Sequence, residues 1–177
     1  MTRVTTDIEN WGQQVADLAE QVKSARGGWL PNLYRPLLHS PSIAAGWLGF
    51  FTAVRYQAVL DGRSRELAIL RVALLTGAEY EYRAHVPVAL QAGVRQDQID
   101  ALPEWQQSAN FEGPARAVLA LAEAMTRDVR VSEETFNNVR QHFSERETVE
   151  LCVTIAGYNM VSRVLRALDV DHESPKG

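Results

Sequence analysis

The stretch Ser64-Arg-Glu-Leu-Ala-Ile-Leu-Arg-Val-Ala-Leu-Leu-Thr-Gly-Ala-Glu-Tyr-Glu-Tyr-Arg-Ala-His85 decides how this chain folds. From Ser64 to Thr76 it is apolar nearly all round a helical projection, through Leu67, Leu70, Val72, Ala73, Leu74 and Leu75. Such a helix is buried on most sides or meets another subunit. Gly77 is its natural stop, because glycine takes the left-handed conformation at little cost. A second helix is expected from about Glu79 to Ala92, stopped by Gly93.

The flanks carry the same helical signal. Upstream, Ile8, Trp11, Val15, Leu18 and Val22 recur at spacings of three and four, which predicts a helix starting near Thr6 or Asp7 and stopped by Gly27-Gly28. Pro31, Pro36 and Pro41 make the next segment an ordered connection with a short turn of helix. Ser42 to Leu60 reads as a helix burying Trp47, Phe50, Phe51 and Val54, ended by Asp61-Gly62.

Downstream, a short turn is expected around Asp97 to Leu102, before the break at Pro103. A helix follows from Pro114 to Arg127, with proline at a favourable first position. Ser132 caps the next helix, and Ser144-Glu-Arg-Glu147 is a capping box opening the last, which runs to about Leu168. The tail, residues 169–177, is polar and expected to be disordered. Strand periodicity is nearly missing, so the fold class is all-α, with residues 1–177 forming one domain.

Composition narrows the function classes. A chain of 177 residues with 46% hydrophobic content suffices for one domain with a core and is short for two. The net charge is −4 without a basic block, which argues against a nucleic-acid partner. Cys152 is the single cysteine, so no disulfide forms within the chain. No apolar run is long enough to cross a bilayer, and the polar N-terminus lacks the apolar core of a signal peptide, so a cytoplasmic protein is expected.

The chemistry concentrates in the second helix. At about 100° per residue, Glu81 and His85 sit about 40° apart on one face, whereas Arg83 is about 200° from Glu81 and faces away. A carboxylate beside an imidazole orients the ring and raises its pKa, which builds an acid–base histidine. Glu66 comes from the preceding helix across the Thr76-Gly77 turn and is the expected third catalytic member. Tyr80 and Tyr82 are expected substrate-binding side chains, being otherwise packing residues; Arg83 joins them only through the family resemblance given below, its projection facing it towards a neighbouring subunit. Pro87 breaks a local rule beside this pair, since proline inside a helix removes a hydrogen bond. Glu66 has a plainer reading as a surface acid paired with Arg63 or Arg65. A metal held by Glu66, Glu81 and His85 is the weaker alternative, because a di-iron bundle needs repeated Glu-X-X-His, which is missing here. His39, His142 and His172 lack partnered patterns, and Cys152 reads as a small core residue.

Arg-Glu-Leu-Ala-Ile-Leu-Arg-Val-Ala, then Leu-Thr-Gly-Ala-Glu-Tyr-Glu-Tyr, then His-Val-Pro-Val-Ala-Leu-Gln-Ala-Gly resembles the carboxymuconolactone decarboxylase family. The resemblance is strongest over residues 43–102 and extends loosely to Phe143-Ser-Glu-Arg-Glu-Thr-Val-Glu-Leu and Gly157-Tyr158. It implies the alkylhydroperoxidase-D-like helical fold. In the family's peroxidase branch a glutamate is followed by Cys-X-X-Cys-X-X-X-His; on this sequence the glutamate falls on Glu66, the histidine on His85, and the thiol positions on Ala78 and Glu81. Disulfide-cycling peroxidase chemistry, which needs both thiols, is therefore not expected. The decarboxylase branch tends to carry Glu-X-Arg-X-His, matched by Glu81-Tyr-Arg83-Ala-His85. The resemblance implies an acid–base lyase assembled as a homo-oligomer, a trimer or hexamer.

These readings converge on an enzyme without cofactor or metal, a lyase or decarboxylase acting on a small carboxylated or lactone-type molecule. One alternative is a Cys-free member performing cyclisation, isomerisation or peroxide-related chemistry. Another is a non-catalytic helical oligomer or binding module.

Overall fold

A computed structural model describes residues 2–7 and 11–172. Among them, nine α-helices and one 3₁₀ turn make up all the regular structure, as the missing strand periodicity requires. The chain divides into two compact units. One holds the residues up to Gln57 together with those from Val164 onward, and the other is Ala58–Arg163.

In the first unit, α1 (Gln13–Ala25) packs on α3 (Pro41–Tyr56) and buries Val15, Leu18, Ala19 and Val22. The helix starts later than expected. Gly12 precedes it at φ 85°, a left-handed conformation that breaks the run, and Trp11 lies outside the helix with its ring 4.2 Å from that of His39. Ile8 lies outside the described residues. Gly27 and Gly28 follow the helix end at φ 79° and 88°. The proline-rich connection holds one short helix, α2 (Tyr34–Leu37), and buries Leu30, Leu33, Leu37 and Leu38. Arg26 is buried here, donating to the Tyr34 hydroxyl at 3.1 Å and to Thr52 Oγ1 at 3.3 Å. Trp47, Phe51 and Val54 are buried on α3, but Phe50 is 39% exposed, against expectation. The beginning of the polar tail is tied down: Asp171 accepts from the Thr2 backbone at 2.9 Å, and Asn32 donates to the carbonyls of Asp171 and His172. Residues 173–177 of the expected disordered tail lie outside the described residues.

The second unit is built around α4 (Gly62–Thr76). Its Leu67, Ala68, Ile69, Leu70, Val72 and Ala73 are all buried. It packs against α5 (Glu79–Gln91) on one side and α7 (Gly113–Arg127) on another. Asp61 starts α4 rather than ending α3, its carboxylate accepting from the Ser64 N–H at 2.9 Å. The three residues Ala58–Leu60 are not helical, because the Val59 and Leu60 N–H groups both donate to Glu150 at 2.8 Å. Gly77 ends α4 at φ 63°, as its position predicts.

After α5 come α6 (Gln96–Ala101) and a 3₁₀ turn at Leu102–Glu104. Then follow α7, α8 (Glu133–Arg140) and the long α9 (Glu145–Leu168). Ser132 caps α8 by accepting from the Thr135 N–H. Ser144 and Glu147 form the reciprocal box at the start of α9. Two buried polar side chains that the sequence did not single out brace this unit. Gln98 donates to the Asn110 carbonyl at 2.8 Å and accepts from Arg63. Arg71 donates to the Leu102 carbonyl at 2.8 Å and to Glu123 at 3.0 Å. Among the described residues no helix is long and apolar enough to cross a membrane.

Candidate functional site

The Gly77 turn sets α4 and α5 against each other, and three ionisable side chains meet between them. Glu66 lies one turn into α4. His85 lies mid-way along α5, with Glu81 one turn before it. Glu66 is 1% exposed, and Glu81 and His85 are each 4% exposed. His85 Nδ1 is 2.7 Å from Glu66 Oε2, and its Nε2 is 3.4 Å from Glu81 Oε2. The imidazole therefore has a carboxylate at each nitrogen, one close and one at long range. The Tyr158 ring, from α9, stands edge-on to it at 5.0 Å.

Burial alone would push the imidazole towards its neutral form. The hydrogen bonds and charges of Glu66 and Glu81 outweigh that, lifting its pKa from 6.5 to about 9. Burial alone would likewise raise the Glu66 pKa; the hydrogen bond and charge of His85, with help from Arg65, bring it below its ordinary value. At that pKa the ring is an imidazolium at neutral pH, with its Nδ1–H donating to Glu66 and its Nε2 within ion-pair range of Glu81.

Arg65 is the unexpected member. Its Nε donates to Glu66 Oε1 at 3.2 Å, so Glu66 bridges a guanidinium and an imidazolium through its two oxygens. The sequence offered Arg65–Glu66 only as a surface pair, yet Glu66 is buried. Tyr158 had a weak signal in the Gly157-Tyr158 resemblance but no sign of its role against His85.

The expected substrate-binding residues are dispersed. Arg83 projects to solvent, with 65% of its side chain exposed, and pairs with Glu79 one turn earlier. Tyr80 is buried and Tyr82 half-buried. Burial raises the Tyr82 pKa, with the Asp100 charge adding to it. Pro87 sits on the exposed side of α5, and the helix runs straight through it despite the missing N–H. Cys152, expected in the core, is only half-buried on α9, and burial raises its thiol pKa, which leaves it protonated and a poor nucleophile.

A comparison with known families matches residues 41–124, a run that contains α4, the Gly77 turn and all of the Glu66–His85–Glu81 cluster. That segment matches the carboxymuconolactone decarboxylase family. Among curated proteins, the uncharacterized protein YdfG of Bacillus subtilis (strain 168) is 27% identical over 114 residues, covering 63% of this chain and 78% of its own. Among solved structures, a variant of the debrominase Bmp8 in complex with 2,3,4-tribromopyrrole superposes with a TM-score of 0.78 at 21% identity, covering 98% of this chain and 91% of its own. A peroxidase-related protein from Ralstonia eutropha JMP134, described as an alkylhydroperoxidase AhpD core, gives a TM-score of 0.82 at 16% identity, covering 98% and 93%. The fold is alkylhydroperoxidase-D-like, as the resemblance implied. The matched segment supplies both helices of the site; Tyr158, on α9, lies outside it.

Proposed function

We propose that this protein is a cofactor-free acid–base lyase, a decarboxylase of a small carboxylated or lactone-type acid, working as a homo-oligomer in the cytoplasm. The observation that carries the reading is the buried His85 imidazolium held between Glu66 and Glu81. A histidine with a pKa of about 9 rests as an acid at neutral pH. Decarboxylation asks for such a group. The C–C bond to the leaving carboxylate breaks, carbon dioxide departs, and the electron pair stays as an enolate that needs a proton at carbon. The Nε2 proton is the one to deliver, because its contact with Glu81 is long at 3.4 Å whereas Nδ1 is held at 2.7 Å. Glu66 then stabilises and orients the ring through the cycle, and a proton from solvent restores the imidazolium.

The debrominase shares the fold at 21% identity, which carries no reaction across to this chain. The thiol positions implied by the family resemblance hold Ala78 and Glu81, which favours proton transfer over thiol chemistry.

The test is turnover in D2O. Purified protein is offered lactone acids and β-keto acids, with carbon dioxide release and deuterium at the product carbon as readouts. His85→Gln is expected to lower kcat by about 10²–10⁴-fold, the usual worth of a positioned acid. If no acid of either class loses carbon dioxide, and His85→Gln binds the same ligands as well as the wild type, the chain is a binding module and the lyase reading falls.

A further inference from the structure

Arg65 has donors that no described residue uses. Its side chain is only 15% exposed, yet among the described residues its single hydrogen bond runs from Nε to Glu66. Two other arginines of the same unit behave differently. Arg71 directs Nη1 to the Leu102 and Pro103 carbonyls and Nη2 to Glu123. Arg116 places Nε on the Phe111 carbonyl, Nη1 on Gln106 and Nη2 on Ser108. Those two lock backbone in place. The Nη edge of Arg65 locks nothing among the described residues, and it is not wholly sealed from solvent: the fully buried side-chain nitrogen and oxygen atoms without a partner among the described residues are Arg71 Nε, Thr148 Oγ1 and Ser162 Oγ.

The position of that edge gives it meaning. With Nε fixed on Glu66, the guanidinium plane is set, and Nη2 rests beside Gly62 near Ala92. The fork of Nη1 and Nη2 N–H groups faces away from Glu66. Glu66 in turn holds His85. A ligand on the fork is therefore one carboxylate away from the imidazolium, at a spacing fixed by two hydrogen bonds. The local charge also permits an anion there. Arg65 and protonated His85 balance Glu66 and Glu81, so an incoming anion meets a neutral cluster rather than a negative one.

We infer that Arg65 is the substrate anchor of this site and that its Nη fork takes a planar carboxylate by two parallel hydrogen bonds. This rests on the acid–base reading of the Glu66–His85–Glu81 cluster. The anchored carboxylate is one the reaction leaves intact, because a carboxylate held as an ion pair is stabilised against leaving as neutral carbon dioxide. Guanidinium suits the task, since its rigid fork matches carboxylate geometry while an ammonium offers only a point charge. Arg83 has no such relation to the site; it is exposed and paired with Glu79.

Binding is measured by calorimetry with acetate, propionate and succinate, and with acetamide and propionamide as uncharged isosteres. The wild type is expected to bind the carboxylates and not the amides. Arg65→Gln is expected to weaken carboxylate binding about 10- to 100-fold. Arg65→Lys, which keeps the charge and serves if the glutamine variant fails to fold, is expected to weaken it about tenfold. Arg83→Gln leaves it unchanged. In turnover, Arg65→Lys raises KM while kcat holds, a split that a purely structural role for Arg65 does not give. Equal binding of acids and amides by the wild type, or undiminished carboxylate binding by both Arg65 variants, overturns the inference. The two readings fail separately. Carboxylate binding that depends on Arg65 without any turnover keeps the anchor and removes the lyase; turnover with carboxylate binding indifferent to Arg65 does the reverse.

Discussion

Replacing Glu66 by glutamine removes the charge at Nδ1 of His85 and keeps the length of the side chain. The contact is 2.7 Å and buried, so the loss is large. Two unit charges with centres about 4 Å apart interact by about 4 kcal/mol at an effective dielectric near 20. At about 1.4 kcal/mol per pKa unit, that is about 3 units. His85 in Glu66→Gln should therefore titrate about 3 units below its wild-type value of about 9, near 6. Glu81→Gln should lower it less, because that contact is 3.4 Å. The assay is an NMR pH titration of the ¹⁵N-labelled imidazole, which also reports which nitrogen keeps its proton. The single charge change leaves the helix packing intact, and far-UV circular dichroism checks that. If His85 in Glu66→Gln still titrates above about 8, or if Glu81→Gln shifts it further than Glu66→Gln, the electrostatic account of the site is wrong.

Three further outcomes are expected. The wild type loses stability as pH rises from 6.5 to 9, by roughly 3 kcal/mol, because the folded state holds a proton on His85 that the unfolded chain releases; this contribution is full below pH 6.5, and urea melts of His85→Gln across the same range should lack the slope. Leu70→Ala should cost about 2–5 kcal/mol in the same melts, since Leu70 is wholly buried on the central helix. Val129, a β-branched residue at φ 64° and largely exposed, is strained, so Val129→Gly should raise stability by about 1 kcal/mol; a drop instead would show the backbone there to be relaxed.

What the sequence disclosed was local. The apolar run of α4 and its Gly77 stop depend on residues within a turn or two, and so does the Glu81–His85 spacing. The end of α3 was misplaced because Val59 and Leu60 donate to Glu150, a partner about ninety residues away in the chain. The start of α1 was misplaced because Gly12 takes a left-handed conformation, which outweighs the apolar spacing that continues past it. Tyr158 reaches His85 through packing of α9, and no periodicity announces such a contact. Arg65 was hidden differently. Its pairing with Glu66 was legible, but only as a surface pair; the burial of Glu66 against His85 depends on α5 packing on α4.

The burial of α4 has one more consequence. Glu66 hangs from a helix whose Leu67, Ala68, Ile69 and Leu70 are almost completely hidden from water. Amides on such an element exchange their hydrogens only when the whole cooperative unit opens. The Glu66–His85–Glu81 cluster is thus fixed to a helix buried on most sides. Heating or mild denaturant should not give a folded form with the cluster broken; the His85–Glu66 contact and the slowest-exchanging amides should vanish in one transition.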